Sequence, residues 1–133
     1  SLHDALPIFK NAWFERFANK EHLTAQMLWE AVQRAEQGLI DADLGGGVIK
    51  QRLARPGAGK STGYRSIVLL RQGDKAFFVF AFPKSAQSNL KADEVAQFKK
   101  MAKHVLALTD AQLHTLITDG HFTEVRPDAK KIP

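Results

Sequence analysis

The stretch Phe77-Phe78-Val79-Phe80-Ala81-Phe82 is apolar at every position. Successive side chains of a strand point to opposite faces, so a strand at a solvent surface alternates apolar with polar residues. A strand with no polar position has to be covered on both faces, as an interior strand is and an edge strand is not. The run therefore predicts the central strand of a sheet, over residues 76–82. Gln72-Gly73-Asp74 supplies a tight turn back to a second strand at 64–71. A third strand is predicted at 48–54, where Ile49, Gln51 and Leu53 share one face and Lys50, Arg52 and Ala54 the other, so that one face is basic. The turn-rich connection Arg55-Pro-Gly-Ala-Gly-Lys-Ser-Thr-Gly63 joins the third strand to the second, and the three form an antiparallel meander.

Helical patterning flanks these strands. Trp13 and Phe17 share a face of one or two turns, and a helix capped by Thr24 carries Ala25, Leu28, Val32 and Ala35 on one stripe before Gly38. Together they suggest a helical hairpin packed on the sheet. Gly45-Gly46-Gly47 reads as a break. Beyond Pro83, a helix from about Ala92 turns Val95, Phe98, Met101, Ala102 and Val105 inward and Lys99, Lys100 and Lys103 outward. Thr109 and Gln112 form a capping box opening a last helix that Gly120 closes. The expected fold class is α+β, with a small antiparallel sheet of three or four strands, an N-terminal helical hairpin and C-terminal helices.

A chain of 133 residues is one domain in size and large enough for a core without staples. The absence of cysteine excludes disulfides, thiolate catalysis and cysteine-bound zinc. No apolar run approaches the roughly 20 residues of a membrane helix, so the expected location is the cytoplasm. Residues 1–8 resemble translated adapter sequence and are read as a non-native leader. The single domain is expected over 9–125, followed by a flexible tail at 126–133.

The charge is unevenly placed. Residues 44–92 hold nine Lys or Arg against one acid, Asp74, a local net of +8 in a chain whose total is +5. A basic block concentrated in strands, between mildly acidic flanks, is the footprint of a surface that binds a phosphate backbone. A merely solvated basic face is the plain alternative. Gly57-Ala58-Gly59-Lys60-Ser61-Thr62 imitates a P-loop, but the pattern needs glycine where Ala54 stands, and a strand follows instead of a helix. His3, His22, His104, His114 and His121 are scattered without ligand spacing, so neither metal nor cofactor is expected. Asp41 and Asp43 precede the glycine triplet with no evident partner, which argues against a paired-carboxylate hydrolase.

The most specific constellation is a linked series: Gly45 to Gly47, then Lys50-Gln51-Arg52-Leu53-Ala54-Arg55-Pro56-Gly57, Gly59-Lys60, Gly63-Tyr64-Arg65, and the phenylalanine-rich strand ending in Phe82-Pro83-Lys84-Ser85. In this order the pieces resemble the RelE/HigB toxins of bacterial type II toxin–antitoxin systems, from about Phe9 to Val125. The resemblance implies a basic sheet face and metal-independent cleavage of messenger RNA, commonly in the ribosome, by attack of a ribose 2′-hydroxyl on the adjacent phosphate. Such chemistry needs a proton acceptor, positive charge on the phosphorane and a proton donor. Cationic neighbours lower the pKa of a lysine in general, so a basic strand can in principle serve all three needs. By position, the resemblance makes Arg65 the transition-state stabiliser and Lys50 and Arg52 proton-transfer or phosphate-contact residues, with Arg55, Lys60, Lys84 and Lys91 on the RNA. Better-known members carry arginine where Ser85 stands and tyrosine where Lys91 stands. Tyr64, alternating with Arg65, is expected in the core if Arg65 faces RNA. The implied partners are messenger RNA, the ribosome and a cognate antitoxin of helix-turn-helix type. The competing readings are a non-catalytic nucleic-acid-binding module, a decayed toxin, or a chain that functions only within a complex.

Overall fold

The computed structural model describes residues 6–54, 63–84 and 89–127. The elements run β1 (Ile8–Asn11), α1 (Ala12–Glu21), α2 (Ala25–Glu36), β2 (Ala42–Gly45), β3 (Val48–Leu53), β4 (Tyr64–Arg71), β5 (Lys75–Pro83), α3 (Ala92–Val105), α4 (Asp110–Thr118) and β6 (Phe122–Glu124). All strands among the described residues belong to one six-stranded sheet in the order β2-β3-β4-β5-β1-β6. β1 runs parallel to β5, and every other neighbouring pair is antiparallel. The α+β class holds, but the expected antiparallel sheet of three or four strands is corrected to a mixed sheet of six.

The three strands missed in the sequence are short, at four, four and three residues. Segments that short carry no readable period, and their strand state comes from partners distant in the chain. The glycine triplet is likewise a turn, not a break. Gly45, Gly46 and Gly47 have φ of +87°, +64° and +84° and reverse the chain between β2 and β3. A Cβ on Gly47 would lie 2.7 Å from Leu106 Cδ1, so glycine also lets the end of α3 approach the sheet. The fold begins upstream of Phe9: Leu6 and Ile8 are buried, and the Pro7 carbonyl accepts the Ala76 N–H at 3.1 Å.

β5 is interior, between β4 and β1, as its composition predicted. It also contains a β-bulge. Ile67 pairs with Phe80 and Val68 with Phe78, leaving Val79 as an extra residue. The Val79 carbonyl accepts from Asn11 Nδ2 at 3.1 Å, while Asn11 Oδ1 caps α1 by accepting the Phe14 N–H at 2.8 Å. One asparagine thus serves both the bulge and the helix start. The extra residue reverses the alternation, so Phe80 and Phe82 lie on the same face as Phe77.

Cores form on both faces. On one, Phe14, Leu28, Val32, Ile49, Val68 and Phe78 join α1 and α2 to the sheet; on the other, Val48, Ile67, Leu69, Phe77, Ala102 and Leu106 pack with α3 and α4. α1 packs chiefly on β5 and β1 and α2 on β3, so each meets the sheet more than its partner helix, and the expected hairpin is two helices laid side by side. α1 is also longer than expected, at ten residues. In α3, Phe98, Ala102 and Val105 face the core as expected, but Met101 is exposed, and Leu106 just past the helix is buried. No helix among the described residues is long and apolar enough to cross a membrane.

Because Ile8 is 2% exposed, Ile8→Ala is expected to cost about 2–5 kcal/mol of stability. Urea unfolding followed by circular dichroism reads this directly, and a loss below about 0.5 kcal/mol would place Ile8 outside the cooperative fold.

Candidate active site

Strand alternation places Lys50 and Arg52 of β3 on the same face as Arg65 of β4, the face that carries Phe80 and Phe82. In register, Lys50 lies opposite Ile67 and Arg52 directly opposite Arg65. Two guanidiniums facing each other across neighbouring strands repel, which is a poor choice for stability alone. One of them is also withdrawn from solvent: the Arg65 side chain is 5% exposed, against 58% for Arg52.

Asp41 relieves the repulsion. Its Oδ1 accepts from Arg52 Nε at 3.3 Å, and its Oδ2 lies 3.6 Å from Arg65 Nε and 3.9 Å from Lys50 Nζ. The carboxylate is held from behind by Gln51, which alternation turns to the opposite face of β3. Gln51 Oε1 accepts the Asp41 backbone N–H at 2.8 Å, and Nε2 donates to the carbonyls of Ala31 and Leu39 at 2.9 and 3.2 Å. The buried amide thereby ties α2, the loop before β2 and β3 together at the point where Asp41 emerges. Lys50 Nζ also donates to Asn89 Oδ1 at 3.1 Å, which brings the approach to α3 against the cluster.

Two polar atoms of the cluster are unspent. Arg65 Nη1 is buried without a hydrogen-bond partner, and Asp41 Oδ2 accepts no hydrogen bond from any described residue, its cationic neighbours being too distant. A buried donor left unmade costs about 1–3 kcal/mol, a penalty that a bound acceptor would remove. Beside the cluster, grooves of about 420 and 380 Å³ run between α2 and β3, both lined by Arg34 and Arg52.

The family model for the RelE toxin of the RelE/RelB toxin–antitoxin system matches residues 6–125. The chain belongs to the RelE toxin family. Among curated proteins, none matches it. RelE toxins pair with an antitoxin, act on messenger RNA and are in general ribonucleases that cleave it.

In this RelE chain the residues expected to do chemistry, Lys50, Arg52 and Arg65, converge. Lys84 is exposed at the end of β5, where its N–H donates to the Gly63 carbonyl at 3.2 Å, beside the start of β4 and Arg65. Lys91 is exposed as the N-cap of α3, two residues beyond Asn89. Arg55 and Lys60 lie outside the described residues. Tyr64 is in the core, 1% exposed, edge-on to Phe17 at 5.2 Å and donating to the Glu21 carboxylate. The expectation that Asp41 lacks a partner is overturned by its three cationic neighbours. Gln51 and Arg34 were also missed. The inward phase of Gln51 was readable, and an amide on an apolar face is itself a signal that a buried backbone group needs a partner.

Gln51→Leu fills a similar volume but leaves the Asp41 N–H and the Leu39 carbonyl without the bonds that Gln51 supplies and removes a second bond to the Ala31 carbonyl. The expected loss is about 2–4 kcal/mol in chemical unfolding, from groups costing about 1–3 kcal/mol each with partial rescue by water. An unchanged midpoint would show that the amide does not hold the loop.

Proposed function

We propose that this chain is a cytoplasmic endoribonuclease that cleaves messenger RNA on the ribosome, without a metal ion, by attack of a ribose 2′-hydroxyl on the adjacent phosphate. The observation that carries the reading is the buried, unspent Nη1 of Arg65 inside a cluster shared by Lys50, Arg52 and Asp41.

In this reading Arg65 donates to a non-bridging oxygen of the scissile phosphate. Its side chain is packed in place on a strand and desolvated, so it stabilises phosphorane charge without reorganising, and the interaction is stronger than it would be in water. Lys50 and Arg52, which share the Asp41 carboxylate with Arg65, hold the same phosphate. Lys84 and Lys91, with Arg55 and Lys60, contact flanking phosphates, and the groove lined by Arg34 and Arg52 receives a neighbouring nucleotide. The cognate antitoxin, proposed to be a helix-turn-helix protein, would silence the site by laying acidic or apolar elements over the cationic face.

The test is to add the protein to a cell-free bacterial translation reaction and map message ends by primer extension. Discrete new ends are expected with the wild type. Arg65→Ala should lower their yield by about 100-fold or more while the melting temperature shows a folded protein. Because Arg65 is buried, Arg65→Lys serves as a second variant and should retain fold but lose most cleavage, since a single ammonium cannot replace the guanidinium fork. Intact message with the wild-type protein, at concentrations where it binds RNA, would overturn the reading in favour of a binding module. For RNA binding itself, Lys84→Ala should lower the slope of log affinity against log salt by about 0.7, as expected for one lost phosphate contact on a single strand.

A further inference from the structure

The site as described has donors for a phosphate but has not been given an acceptor for the 2′-hydroxyl proton. Lysine and arginine in their cationic forms have no hydrogen-bond acceptor. Within the cluster, Asp41 is the group that accepts. Its two oxygens are used differently: Oδ1 is engaged by Arg52 Nε at 3.3 Å, whereas Oδ2 has cations at 3.6 and 3.9 Å and no hydrogen bond from a described residue. The side chain is 18% exposed. Asp41 Oδ2, which accepts no hydrogen bond from a described residue, and the buried Arg65 Nη1, which has no partner among the described residues, belong to side chains that approach to 3.6 Å. A 2′-hydroxyl next to a phosphodiester presents the matching pair, a proton to give and an anionic oxygen to receive one.

We infer that Asp41 is the general base of this site. The inference rests on the ribonuclease reading above. Asp41 Oδ2 takes the proton of the 2′-hydroxyl as that oxygen bonds to the adjacent phosphorus. The bond from phosphorus to the 5′-oxygen breaks, and the departing oxygen takes a proton from water. The products are a 2′,3′-cyclic phosphate and a 5′-hydroxyl, and the proton on Asp41 neutralises the hydroxide left by that water. Lys50 is not the donor to the leaving group in this arrangement. Its Nζ is 3.9 Å from the base, which puts the two on one side of the phosphorus, whereas in-line displacement separates base and acid to opposite sides. Gln51 becomes a positioning residue, because its hydrogen bond to the Asp41 N–H fixes the carboxylate against the cations. Among the described residues, the charged groups facing Asp41 are Lys50 and Arg52 from β3, Arg65 from β4 and, along the groove, Arg34 from α2. All are cations, which fit an anionic substrate brought to a carboxylate base.

The experiment compares wild type, Asp41→Asn and Asp41→Glu in two assays: the cleavage rate of ribosome-bound message at saturating protein, and affinity for a short 2′-O-methyl RNA, which binds but has no 2′-proton to lose. Asp41→Asn should cleave about 100-fold or more slowly, the usual worth of a general base, with affinity unchanged or higher because a negative charge has left the cluster. Asp41→Glu should recover at least about tenfold of that loss, since it restores the carboxylate. Asp41→Ala gives the same comparison if the amide variant fails to fold. Cleavage by Asp41→Asn within about threefold of wild type overturns the inference. So does a parallel loss of affinity and cleavage, which would mark Asp41 as an organiser of the cations only. A wild-type protein that cleaves nothing overturns the ribonuclease reading together with its base, whereas active wild type and active Asp41→Asn overturn the base alone.

Discussion

The contact between Asp41 and the facing guanidiniums of Arg52 and Arg65 is the constraint around which this molecule is arranged. Two like charges directly opposite on neighbouring strands, one of them 5% exposed, would by themselves destabilise the pairing of β3 with β4. The carboxylate makes the arrangement tolerable and leaves the cluster cationic. Holding that carboxylate requires a fixed loop, and Gln51 fixes it through three hydrogen bonds to backbone groups. The sequence departs from what stability alone favours at the facing pair Arg52 and Arg65, and such departures gather where function is selected.

The surrounding fold serves the same end. The bulge at Val79 reverses the alternation of β5, so that Phe82 pairs with Arg65 and stands on its face. Phe80, beside it, packs against Trp13, Phe82 and Phe98 and makes that side of the cluster apolar. An apolar wall beside a guanidinium lowers the local dielectric and raises the worth of every charge contact made there. Asn11 stabilises the bulge from β1, a strand that pairs in parallel with β5 and lies between it and β6. The glycine turn between β2 and β3 aligns Ala42 with Lys50, which delivers the preceding residue, Asp41, to the end of β3.

What could be read in the sequence follows from the range of the forces involved. The two long β-hairpin strands, the interior place of β5, the caps at Thr24 and Thr109, and the shared face of Lys50 and Arg52 all depend on neighbours within a few residues. Each was legible. β1, β2 and β6 are defined by partners far along the chain and were not. The bulge was invisible for a different reason: a strand that is apolar at every position has no alternation to interrupt. Asp41 was misread because its partners lie at residues 50, 52 and 65, and only the folded register reveals that three cations meet one carboxylate.

The most direct test of the account is a structure of the protein bound to a short 2′-O-methyl RNA. The account predicts a phosphate oxygen within hydrogen-bond distance of Arg65 Nη1 and the neighbouring 2′-oxygen beside Asp41 Oδ2. An RNA lying along the outer face of α3, on Lys99, Lys100 and Lys103, with Arg65 Nη1 still unpartnered, would contradict it.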